Sequence, residues 1–76
     1  MIRVFDMDGN KPQSHRLPVS ILTDTEAEIL GLGEVVKDGL FDDVEVIPEH
    51  GSLAYTADLK VGYMLSPSGV WTKFRG

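Results

Sequence analysis

The 76-residue sequence contains no cysteine. Disulfides, thiolate metal sites, iron–sulfur clusters and a cysteine nucleophile are therefore excluded. With only two histidines, a structural zinc site lacks its usual ligands. No apolar run approaches the roughly 20 residues of a membrane-spanning helix, so no membrane partner is expected. Met1-Ile2-Arg3-Val4 does not open a signal peptide, which predicts a cytosolic product. Chains of this size bury only about 60% of their extended surface, and small domains usually compensate with disulfides, a metal or a partner chain. The first two are missing here. Self-association or docking onto something larger is the expected remedy.

Basic residues are also scarce, with seven Lys and Arg against twelve acids and a net charge of −5. The imbalance is local. Residues 1–23 (Arg3, Lys11, Arg16 against Asp6, Asp8) and 50–76 (Lys60, Lys73, Arg75 against Asp58) are mildly basic. The segment 24–49 holds nine acids (Asp24, Glu26, Glu28, Glu34, Asp38, Asp42, Asp43, Glu45, Glu49) against Lys37 alone, a net of −8. Neutralising phosphates needs clustered Lys and Arg, so direct nucleic-acid binding is not expected. Such a charge run ordinarily forms a solvated face. Its functional alternative is contact with a basic surface, carried by Asp42, Asp43, Glu45 and Glu49.

What remains is ordinary globular composition with a readable order. Ile2-Arg3-Val4-Phe5 has strand-forming content, and Val19, Ile21 and Leu22 follow Pro18 as a second strand. The two are expected to pair as a hairpin across a long loop that turns at Asp8-Gly9-Asn10. Thr23-Asp24-Thr25-Glu26 reads as a capping box opening a short helix near 24–31, extending at most to 37 because Gly31 and Gly33 weaken it. Lys37-Asp38-Gly39 reads as a turn, and Val44-Glu45-Val46-Ile47 as a strand stopped by Pro48.

The last third alternates most clearly. Leu53, Tyr55 and Ala57 share one face of a strand, and Val61, Tyr63 and Leu65 share one face of the next. Val70, Thr72 and Phe74 share a third, with Trp71 and Lys73 opposite. Asp58-Leu59-Lys60 and Ser66-Pro67-Ser68-Gly69 supply the connections. The predicted fold is α+β, mainly β: a small antiparallel sheet with a C-terminal three-stranded meander and one short helix. It is a single small domain made of an N-terminal hairpin (1–23), an acidic helix and loop segment (24–49) and the meander (50–76).

Three patterns suggest chemistry and each falls short. Val4-Phe5-Asp6-Met7-Asp8-Gly9-Asn10 resembles the first motif of the haloacid-dehalogenase phosphatases, a strand ending in Asp-x-Asp-Gly-Thr. That resemblance implies Asp6 as nucleophile and Asp8 as acid/base beside magnesium. The chain is far shorter than the doubly wound domain such a site requires, Asn10 replaces the threonine, and no strand–helix repeats follow. As an EF-hand loop, Asp6, Asp8 and Asn10 would take positions one, three and five, but Lys11 stands where glycine is needed and Leu17 where glutamate is needed. Ser14-His15 and His50-Gly51-Ser52 lack the glycine-framed elbow of a nucleophilic serine. No enzyme activity and no cofactor are expected. The rings of Tyr55, Tyr63, Trp71 and Phe74 are read as core or subunit contact rather than as a base-stacking platform.

The run from Glu49 to Phe74 resembles the C-terminal module of small virion proteins of tailed phages and prophages of Gram-positive bacteria. That pattern has a Gly-Ser opening, a strand, an Asp-containing turn, a Tyr-bearing strand, a glycine turn and a Trp-bearing last strand. Gly51, Ser52, Asp58, Tyr63, Gly69 and Trp71 take those places. Where the pattern has Asp-Thr-Gly, this chain has Asp58-Leu59-Lys60. The resemblance implies a non-enzymatic capsid- or tail-associated protein, present in many copies in the virion or in the bacterial host cytoplasm. Its partners would be other copies of itself or other virion proteins, met through Tyr55, Tyr63, Met64, Trp71 and Phe74. The alternative expectation is an acidic phage-encoded inhibitor of a basic, nucleic-acid-binding host protein, with Asp42, Asp43, Glu45 and Glu49 imitating phosphates.

Overall fold

The computed structural model describes residues 1–6, 16–39 and 44–76. The turn expected at Asp8-Gly9-Asn10, the candidate acid Asp8, His15 and the acids Asp42 and Asp43 lie outside the described residues. Among the described residues eight strands and one short helix appear in chain order: β1 (Arg3–Asp6), β2 (Arg16–Leu17), β3 (Val19–Thr23), α1 (Glu26–Leu30), β4 (Val36–Asp38), β5 (Val44–Pro48), β6 (Leu53–Thr56), β7 (Gly62–Leu65) and β8 (Trp71–Arg75). The fold is α+β and mainly β, as the sequence predicts.

A five-stranded sheet in the order β1-β3-β6-β7-β8 carries the core, beside a three-stranded sheet in the order β2-β5-β4. The predicted N-terminal hairpin is present, with Val4 opposite Ile21 in an antiparallel pair. The predicted meander is present too, through antiparallel β6–β7 and β7–β8 pairs. The pair that joins these halves is parallel: β3 lies beside β6, with Ile21 opposite Ala54 and Thr23 opposite Thr56. Parallel neighbours need a crossover rather than a tight turn. Residues 24–52 are that crossover, and they hold α1, β4 and β5.

The alternation in β3 sends Val19, Ile21 and Thr23 inward, as a period of two requires. Register then aligns Val4, Ile21, Ala54 and Tyr63 as one row across four strands. Ile29 of α1, Val36 of β4 and Val46 of β5 pack on these residues and close the core. A buried hydroxyl joins segments far apart in sequence. The Ser52 hydroxyl accepts from the Val19 amide at 3.0 Å, so the chain entering β6 is tied to the start of β3.

Three local expectations are corrected. The helix cap is Thr25 rather than Thr23, and the Glu28 carboxylate accepts from the amides of Thr25 at 3.2 Å and Asp24 at 2.9 Å. Strand pairing holds Thr23 extended, because its carbonyl accepts from Ala57 at 2.7 Å. Its hydroxyl instead donates to the Thr25 carbonyl. The helix ends at Leu30, and Val36-Lys37-Asp38 is strand, paired antiparallel with Val44–Val46. Pro48 belongs to β5 rather than following it.

The turn between β6 and β7 holds a strained residue. Asp58 accepts from the Thr56 hydroxyl at 2.6 Å and the Lys60 amide at 3.0 Å, and the Leu59 amide donates to the Thr56 carbonyl at 2.8 Å. This network holds Leu59 at φ 62°, the left-handed region that a side chain disfavours. Leu59 is 52% exposed and contributes little packing in return. Leu59→Gly is expected to raise stability by about 0.5–1 kcal/mol, read from the urea unfolding midpoint. An unchanged or lower midpoint would contradict the strain.

Candidate interaction surface

The five residues expected to make contacts divide between the two faces of the large sheet. Tyr63 and Trp71 lie on the inner face. Tyr63 is buried, and Trp71 is half-buried against the core. The Tyr63 hydroxyl donates to Glu26 at 2.6 Å, and Lys73 on β8 reaches the same carboxylate oxygen at 3.1 Å. Glu26 thereby fastens the first turn of α1 to β7 and β8.

Tyr55, Met64 and Phe74 belong to the outer face. There Leu22 of β3, Tyr55 of β6 and Gly62 of β7 align across the strands, with Leu53, Met64 and Thr72 in the next row. The Tyr55 and Phe74 rings meet edge to face, 5.9 Å apart at 89°, a geometry that aromatic quadrupoles favour. Gly62 makes this possible, since a Cβ there would sit 3.0 Å from both rings. A register shift between Gly62 and Tyr63 gives β8 one extra residue at this point, as a β-bulge does.

Beside these rings lies an apolar recess of about 270 Å³ lined by Met64, Ser66, Pro67, Thr72 and Phe74. Phe74 is 51% exposed and Met64 44%. Val70, absent from the expected contact set, is 60% exposed immediately before β8. The alternation Val70-Thr72-Phe74 was the available signal, but the sequence does not say which face of the last strand stays uncovered.

β8 is also an edge. Among the described residues it pairs only with β7, and β1 ends the other side of the sheet. The β1 side is partly closed, because Gly39 donates to the Ile2 carbonyl at 2.8 Å. Native edge strands commonly carry lysine as protection. Here the Lys73 head is turned inward to Glu26.

The acidic segment does not gather into one patch among the described residues. Asp24 and Glu28 bind the Met1 ammonium at 2.6 and 3.0 Å, and Asp24 also meets Arg3 at 2.9 Å. Glu45 is exposed on β5 opposite Lys37 of β4, and Glu49 is half-buried. Of the residues weighed for catalysis, Asp6 ends β1 and His50 lies exposed at a turn. Among the described residues no group of three His, Asp or Glu side chains is placed to hold a metal ion. Comparison with protein-family models, with curated proteins and with solved structures finds no match for the chain.

The hydrogen bond from Tyr63, and after it the Lys73 ammonium, hold the Glu26 carboxyl below its ordinary 4.5. The same bond pushes the Tyr63 phenol up. A carboxyl lowered by folding stabilises the protein above its unfolded value, and the contribution is lost as pH falls through the folded one. Stability is expected to hold from pH 7 to about 5 and to decline on acidification below about 4. Glu26→Gln should lower the urea midpoint at pH 7 and flatten part of that decline. Parallel pH profiles for the two proteins would contradict the role given to Glu26.

Proposed function

We propose that this chain is a non-enzymatic structural or assembly protein of a phage particle, capsid- or tail-associated. It acts through contacts with copies of itself or with other virion proteins. The observation that carries the reading is the coincidence of an edge strand, β8, which among the described residues pairs only with β7, with the exposed apolar side chains of Val70, Phe74 and Met64 on and next to it. An edge strand presents a row of backbone donors and acceptors to another chain. Apolar side chains next to that edge supply the buried area that strand pairing alone lacks. The resemblance of residues 49–74 to small virion proteins, and the modest core of so short a chain, favour the same reading.

Sedimentation measures the proposal directly. The wild-type protein is expected to associate, and to remain associated at high salt, because apolar packing is not screened. Val70→Asp or Phe74→Asp should weaken association by about tenfold or more while circular dichroism stays native. A wild-type protein that is strictly monomeric at high concentration and missing from purified particles would overturn the proposal.

A further inference from the structure

A second cavity lies away from the apolar strip, where the crossover meets the β7–β8 end of the large sheet. This cleft of about 380 Å³ is lined by Leu32 and Glu34 beyond α1, by Ile47 and His50 around the end of β5, and by Leu65 and Trp71. Leu65 and Trp71 are direct neighbours across β7 and β8, so the indole stands beside an apolar floor. Among the described residues neither Glu34 nor His50 has a hydrogen-bond or ion-pair partner. Among the described residues the cleft is thus lined by a glutamate and a histidine without such partners and by a tryptophan, beside apolar side chains.

We propose that this cleft receives a cationic side chain of a partner protein, arginine in preference to lysine. The carboxylate of Glu34 and the face of Trp71 both attract a cation, and neither favours an anion. Leu32, Ile47 and Leu65 match the methylene stem that such side chains bury while the head group stays polar. A planar guanidinium stacks on indole and bonds a carboxylate through its fork, which an ammonium cannot do. His50 adds a ring nitrogen that accepts a hydrogen bond when unprotonated. The net charge of −5 draws a basic partner toward the chain from a distance. The inference does not depend on the virion reading, since the cleft and the apolar strip use different residues.

Trp71 is the single tryptophan of the chain, so its emission reports occupancy of the cleft. The test titrates the protein with Nα-acetyl-arginine methylamide, its lysine counterpart and the uncharged norleucine counterpart. The two cations are expected to give saturable changes, with norleucine at least about fivefold weaker and Glu34→Gln losing about fivefold or more in arginine affinity. Amide resonances of Gly33 and Gly69, which also line the cleft, should shift as arginine binds. Glu34 is exposed, and a native circular dichroism spectrum of the variant confirms that its loss of affinity is not unfolding. No saturation by about 50 mM, equal binding of norleucine, undiminished binding by Glu34→Gln, or shifts confined to other regions would each overturn the proposal.

Discussion

The parallel pairing of Val19–Thr23 with Leu53–Thr56 is the constraint on which the rest of this structure depends. It places the N-terminal hairpin and the C-terminal meander in one sheet. It also obliges the chain between them to cross over the sheet rather than turn back. Because α1, β4 and β5 of the crossover pack on one face of the sheet, they decide which face becomes core. Ile29, Val36 and Val46 come down on the row Val4-Ile21-Ala54-Tyr63, and the opposite face keeps Tyr55, Met64 and Phe74 at the surface. The Ser52 hydroxyl on the Val19 amide fastens the point where the crossover ends and β6 begins.

The uneven charge follows from the same topology. The acidic segment is the crossover itself. Three of its carboxylates serve it internally: Glu28 caps α1, Asp24 meets Arg3, and Glu26 joins the helix to Tyr63 and Lys73. Ion pairs at exposed sites contribute little each. Their value here is positional, since Glu26 draws Lys73 inward on an edge strand that lysine ordinarily protects. Arg75 remains exposed at the end of the strand, while the exposed apolar groups on and next to it are Val70 and Phe74.

Most strands were legible because period-two alternation is local, and Val19-Ile21-Thr23, Tyr63-Leu65 and Val70-Thr72-Phe74 each show it. The helix was legible for similar reasons, but its cap was degenerate. Thr23 and Thr25 each have a glutamate three residues on, and only the pairing of Thr23 with Thr56 decides between them. The β4–β5 hairpin was missed at Val36-Lys37-Asp38, a segment too short to show a period. The parallel pairing could not be read because its register is set by contacts more than thirty residues apart. The same nonlocality explains the contact set. Tyr55, Tyr63, Met64, Trp71 and Phe74 were recognised as rings and apolar groups of one meander, but which of them face the core depends on where the crossover packs. The cleft at Glu34 and Trp71 gave no sequence signal, since its lining comes from four separated segments.

The central claim is that β8 and the apolar strip beside it form a contact edge. Hydrogen–deuterium exchange measured over a range of protein concentrations tests it most directly, because a strand that gains a partner gains amide protection. The account predicts that Trp71–Arg75 amides exchange more slowly as concentration rises, while β3, already paired on both sides, is unaffected. Exchange in β8 that is fast and independent of concentration, in a protein that otherwise stays folded, would contradict it.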